Sequence, residues 1–134
     1  MAERPARLFT VEEARALVPR LRPMLRRLQQ QRRELAEEQR ALEHLTAAMR
    51  SNGHANETRR REQRAGELAA GIRSGLRRIT ALGIEVKDLD SGLVDFPSLR
   101  DGRVVYLCWR VDEPTVAYWH ELDAGFIGRE PLEP

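Results

Sequence analysis

The chain reads as an α+β protein: a long antiparallel helical hairpin of coiled-coil-like spacing, with a small antiparallel β-sheet at its base. Three observations predict this. Apolar residues recur with a helical period as far as Leu82, the period changes to two after Gly83, and a stretch rich in turn residues, 51–56, separates two helical runs. A length of 134 residues holds one domain with a modest core of its own, so residues 1–134 are taken as one unit, 10–82 the hairpin and 84–134 the sheet and tail.

Thr10-Val11-Glu12-Glu13 opens the first helix as a capping box, the Thr10 hydroxyl suited to the Glu13 N–H and the Glu13 carboxylate able to reach back. Ala14, Leu21, Leu28, Leu35, Leu42 and Met49 then recur every seven residues, joined by Leu17, Val18, Met24, Leu25 and Leu45. Pro19 and Pro23 each remove a helical hydrogen bond, which predicts a kink or a separate short first helix. The polar runs Gln29-Gln30-Gln31-Arg32-Arg33 and Glu37-Glu38-Gln39-Arg40 interrupt the apolar stripe, so partner helices are expected to complete the core.

Ser51-Asn52-Gly53-His54-Ala55-Asn56 reverses the chain, and a second helix over 57–82 carries Ala65, Leu68, Ile72, Leu76, Ile79 and Leu82 on one side, with Gly83 as its stop. Gly66, Gly71 and Gly75 each weaken that helix by roughly 1 kcal/mol relative to Ala, and close approach of another helix is the expected compensation. The early turns of the first helix outrun the second, leaving Leu17, Val18, Leu21 and Met24 to be covered by residues 84–134.

Three or four strands follow: Ile84 to Lys87, Leu93 to Phe96 before Pro97, Val104 to Val111, and Thr115 to Glu121. Asp101-Gly102 is a hairpin signal and Asp112-Glu113-Pro114 a second turn. The register across that second turn stays open. Pairing of Cys108 with Tyr118 sets Tyr106 opposite His120 with Cys108 and His120 on one side, whereas pairing of Trp109 with Tyr118 puts His120 with Leu107 and Trp109.

Charge is segregated along the chain. Residues 1–80 hold 18 Arg against 10 Glu, a surplus of +8, and residues 81–134 hold 5 basic against 11 acidic groups, a balance of −6. Such halves attract each other within or between subunits, or the basic half attracts an acidic partner. Nucleic acid is not the expected partner, because no aromatic residue interleaves the Arg clusters and Glu34, Glu37, Glu38, Glu62 and Glu67 are interspersed among them. Twenty-two Arg against the single Lys87 fits the codon bias of a GC-rich genome. No run has the length of a signal peptide core or a membrane span, and the lone Cys108 fits a reducing compartment, so a cytoplasmic protein is expected.

Phe9-Thr10-Val11-Glu12-Glu13-Ala14, Gly83-Ile84-Glu85-Val86-Lys87-Asp88, Gly92-Leu93-Val94-Asp95-Phe96-Pro97, Tyr106-Leu107-Cys108-Trp109, Tyr118-Trp119-His120, and Gly125-Phe126 through Arg129 and Pro131-Leu132 resemble a prokaryotic domain-of-unknown-function family whose members run the length of this chain. The resemblance groups the opening stretch and the tail in one signature. It implies no activity, cofactor or catalytic residue.

Both Trp, both Tyr and the only Cys lie within 92–120, which marks the base of the hairpin as the candidate site. His120, with Asp95, Arg103, Glu113 and Arg129, is the candidate ligand-binding set, and His120, Cys108 and Asp123 the candidate metal set, Asp95, Glu113 and Glu121 being further oxygen donors. No CxxC, HExxH or phosphate-cradling Gly loop is present, so any such site must be assembled by strand pairing. The bland alternative makes Cys108 a small buried hydrophobe and His120 the hydrogen-bond partner of a carboxylate. Arg129 with Arg103 or Arg100 offers a bidentate hold on a small anion. The expected function is therefore a ligand-binding or interaction module that oligomerises through its helices, with a small ligand or metal in the β-rich part. The alternatives are an enzyme centred on His120 and a nonspecific nucleic-acid binder that uses the Arg-rich helices.

Overall fold

Thr10 caps the first helix as the sequence predicts: its hydroxyl accepts from the Glu13 N–H at 3.1 Å, and its own N–H donates to Glu13 Oε1 at 2.8 Å. The computed structural model describes residues 5, 7–45, 49 and 53–133. Its elements are α1 (Val11–His44), α2 (Ala55–Ala81), β1 (Glu85–Asp88), β2 (Leu93–Arg100), β3 (Arg103–Arg110), β4 (Tyr118–His120), a 3₁₀ turn (Phe126–Gly128) and β5 (Glu130–Pro131). Among the described residues no helix is long and apolar enough to cross a membrane.

The expected break at the prolines does not occur, because α1 is one helix from Val11 to His44 with Pro19 and Pro23 inside it. Both prolines are exposed, so the carbonyls of Arg15 and Pro19 that lose their helical donors face water, while Ala14, Val18, Leu21, Leu25 and Leu28 hold the opposite stripe in the core. Burial of that stripe outweighs two missing bonds on the solvent side.

α2 runs antiparallel to α1, as the pairs Leu28 with Gly75, Gln31 with Gly71, Glu34 with Arg64 and Glu38 with Arg61 show. Part of the expected reversal at 51–56 lies outside the described residues. Within it, Gly53 takes φ +88°, and α2 starts two residues earlier than predicted, at Ala55. A Cβ on Gly75 would stand 2.5 Å from Leu28 Cδ2, and one on Gly71 2.8 Å from Gln31 Nε2. These two glycines therefore seat side chains of the chain's own first helix, while Gly66 meets nothing within 4 Å. Further out the hairpin is held by ion pairs, Glu34–Arg64 at 3.0 Å and Glu38–Arg61 at 2.7 Å. Gly83, at φ +93°, ends α2 by donating to Thr80 O at 2.9 Å.

The five strands form one antiparallel sheet in the order β1-β2-β3-β4-β5, one strand more than the period predicts. Asp101 and Gly102, both at positive φ (53° and 78°), make the tight β2–β3 turn. β2 continues through Pro97, where the sequence suggests a stop. β1 pairs only as far as Asp95, so no β1 carbonyl needs an N–H from Pro97, and Phe9 takes the vacated place: its N–H donates to Pro97 O at 2.7 Å and its carbonyl accepts from Ser98 Oγ at 2.6 Å.

Alternation gives the sheet two different faces. Val94 and Phe96 of β2, Val105, Leu107 and Trp109 of β3 and Trp119 of β4 join the core with Val18, Leu21, Leu25 and Ile79 of the helices. The first turns of α1 are thus covered by the sheet, and Leu17 and Met24 pack at the margin. Polar groups fasten the two layers. Arg22 donates to the carbonyls of Val111 and Glu113, Arg15 to Val116 O, and Gln29, 7% exposed, places its amide on Leu89 O and Asp90 O, each at 3.1 Å. Gln29 belongs to the run that reads as a polar interruption. It is a buried clamp on the β1–β2 turn.

Candidate functional site

The register places Cys108 opposite Tyr118 and Tyr106 opposite His120, the first of the two alternatives left open by the sequence. Asp95 sits opposite Cys108 on the other side of β3. Asp95, Cys108, Tyr118, Tyr106 and His120 therefore share the face turned away from the helices, and His120 reaches diagonally across β3 to Asp95. Cys108 is fully buried yet stands outside the apolar cluster.

His120 Nδ1 lies 2.7 Å from Glu121 O. A carbonyl only accepts, so Nδ1 carries a proton and the tautomer is fixed with Nε2 toward Asp95, 3.0 Å from Oδ1 and 3.1 Å from Oδ2. Both side chains are almost wholly buried, at 2% and 3% exposure. Burial raises the Asp95 carboxyl above the usual Asp range, with the charge and hydrogen bond of His120 acting against that rise. Burial likewise pushes the Cys108 thiol up to about 11, assisted by the Asp95 charge and opposed by Arg129. The thiol is protonated at neutral pH, which argues against a resident nucleophile.

One donor atom from each of Asp95, Cys108 and His120 lies within 4.8 Å of the other two. A sulfur, an imidazole nitrogen and a carboxylate oxygen form a donor set that zinc and its neighbours accept, and a backbone carbonyl on the far nitrogen of a ligating His is the usual supporting contact.

The other predicted residues divide around this cluster. Glu113 and Arg129 stand beside it as a bidentate pair (3.0 and 2.5 Å), Arg129 Nη1 reaching to 3.9 Å from Cys108 Sγ while its guanidinium lies over Tyr118 at 3.9 Å and Phe126 at 4.2 Å. Arg103 is drawn to the exposed rim, where it pairs with Glu121. Asp123, expected as a metal ligand, is exposed on the turn after β4, and the oxygen donor near Cys108 and His120 is Asp95. Arg100 lies over Trp119 at 4.7 Å, so it does not join Arg129. Tyr106, set opposite His120 by the first register but not counted among the candidate site residues, donates to the Glu85 carboxylate at 2.9 Å and walls His120 at a ring distance of 5.4 Å. Its signal was the alternation of β3, which sets it on the face of Cys108.

The thiol gives a pH prediction with a definite sign. Its pKa is raised in the fold, so its stabilising contribution is complete below the unfolded value, near 9.0, and is lost as pH rises through about 11. Chemical denaturation of wild type should show stability falling across that window. Cys108→Ala should fall less, and parallel curves would show that the thiol is not held protonated by the fold.

Among known proteins, no curated sequence and no solved structure matches this chain. A family model described as an uncharacterized conserved protein, DUF2203, matches residues 7–132, from the segment before α1 to the end of β5 and its flank. With all five strands and both helices inside the match, the chain belongs to the DUF2203 family.

Proposed function

We propose that this protein is a cytoplasmic metal-binding module that holds one divalent transition ion, of the zinc type, through Asp95 Oδ, Cys108 Sγ and His120 Nε2. The observation that carries this reading is the convergence of three different donors within 4.8 Å on a buried face, with His120 Nδ1 committed to a backbone carbonyl. The mixed S, N and O set favours zinc or cobalt over magnesium or calcium, which prefer oxygen alone. The charge of Asp95 and a Cys108 thiolate would neutralise the ion, and Arg129 stands where it steadies that thiolate. Three protein ligands leave one position for water or a small ligand, which is the form the enzymatic alternative around His120 takes. Self-association through the helices belongs to the same reading, supported by the opposed charges of the two halves of the chain.

Binding must displace the Cys108 proton, so affinity should rise with pH. Titration of the purified protein with Co²⁺ should give a thiolate charge-transfer absorption with one equivalent bound. Cys108→Ala should abolish that band and Asp95→Ala weaken binding at least about tenfold, whereas Asp123→Ala should bind like wild type. Absence of a Co²⁺ spectrum, together with no zinc in protein purified without chelators, would leave the Asp95–His120 pair a structural one.

A further inference from the structure

The arginines of the hairpin are not evenly mixed with glutamates once the two helices are laid side by side. Residues 14–33 of α1 contain seven Arg and no acidic residue, and residues 68–83 of α2 and its cap contain three Arg and none. The antiparallel pairing through Leu28–Gly75 and Gln31–Gly71 sets these two windows against each other at the end of the hairpin that meets the sheet. Glu34, Glu37, Glu38, Glu62 and Glu67, which argue against a polyanion in the sequence, all lie toward the far end.

Four arginines of the near end are already engaged. Arg15 and Arg22 hold the loop before β4, Arg32 pairs with Asp90, and Arg26 donates to Gln29. Arg20, Arg27, Arg33, Arg73, Arg77 and Arg78 are exposed, and among the described residues none of them makes an ion pair; Arg33 and Arg78 only touch the neutral Gln30 and Ser74. Arg27 also lines a cleft between the helices with Gln30, Gln31 and Leu68, at whose outer end Arg64 is paired with Glu34.

We infer that the sheet-proximal end of the hairpin is a binding surface for the phosphate backbone of nucleic acid, read without regard to sequence. The free arginines extend about 20 Å along α1, from Arg20 to Arg33 at about 1.5 Å per residue, which matches a linear polyanion better than a compact acidic patch. No aromatic side chain lies on either helix to stack on bases, so the contact is with phosphates. A membrane surface is a poorer match, since among the described residues the exposed large apolar side chains are Met49, Leu99, Leu122 and Ile127, none of them in these windows. This inference is independent of the metal site.

The test uses the full chain and a short labelled duplex DNA of mixed sequence. Wild type should bind at about 50 mM salt and lose at least about tenfold in affinity by about 200 mM. Arg20→Gln, Arg27→Gln and Arg77→Gln combined should weaken binding at least about tenfold and lower the salt slope by about one per arginine in contact with a phosphate. Arg40→Gln, Arg59→Gln and Arg60→Gln combined make the same change in net charge at the far end and should bind like wild type, both variants keeping the helical circular dichroism of the parent. Equal loss in the two variants, or no binding by wild type at low salt, overturns the inference. Binding only to vesicles of anionic lipid, or loss of a dimer mass in the near-end variant without any effect on DNA, assigns the surface to a membrane or to a second copy and overturns it as well.

Discussion

His120→Ala should lower the melting temperature by roughly 10–20 °C, the effect of losing about 3–5 kcal/mol in a domain of this size. The loss comes less from the missing contact than from what it leaves behind. Asp95 is 2% exposed, both its carboxylate oxygens lie close to His120 Nε2, at 3.0 and 3.1 Å, and its carboxyl is already raised by burial. Without the imidazole it must stay protonated or draw in water. Adding Asp95→Val, which removes the stranded carboxyl, should therefore recover part of the loss seen in His120→Ala alone. Thermal unfolding of metal-free protein checks both. A single variant that melts like wild type would mean that the pair contributes nothing to the fold.

The second large effect is expected at Leu21. It is 1% exposed, in the stripe of α1 that meets Phe96, Leu107 and Trp109 of the sheet. Leu21→Ala removes that side chain between two layers pinned by Arg22 and Gln29, so the surroundings cannot collapse freely, and stability should fall by about 2–5 kcal/mol. Trp109, fully buried beneath Arg22, should report the change as a red shift in emission. An unchanged melting temperature and emission maximum would show that the sheet does not rest on the first turns of α1.

Much of this architecture was legible because local signals and burial agree. The capping box, the Gly83 stop, the Asp101-Gly102 turn and the change of period at Gly83 each act over a few residues, and each appears where the sequence puts it. Where they disagree, burial wins: Pro19 and Pro23 stay within a helix whose other side is core, and Gln29 in a polar run becomes a buried clamp because two turn carbonyls face it. The site was legible in its residue types and illegible in its grouping. Asp95, Cys108 and His120 meet only through the register of three strands, and the loop from Val111 to Ala117 that sets β4 against β3 is fixed by Arg22 and Arg15, residues about ninety to a hundred positions away. Such long-range choices leave no local pattern. Arg103 and Asp123 resemble site residues by type and proximity in sequence, yet the tight β2–β3 turn sends Arg103 to the rim and Asp123 lies beyond the end of β4.

The tail that carries Arg129 is tied to the sheet far more lightly than the strands it shields. β5 makes two pairings with β4, Leu132 adds one bond to Ala117 O and packs at the margin of the core, and the Glu113–Arg129 pair with the stacking of Arg129 on Tyr118 adds to the hold. In a folded chain, segments so tied open and reclose on their own, at a free energy well below that of global unfolding. On such opening the environment of Cys108 would be a time average over two situations, one in which the guanidinium shields the sulfur and a brief one in which solvent reaches it. Exchange of a proton, an ion or an oxidant at that thiol would run on the clock of the tail, while the helices and the inner face of the sheet remain closed.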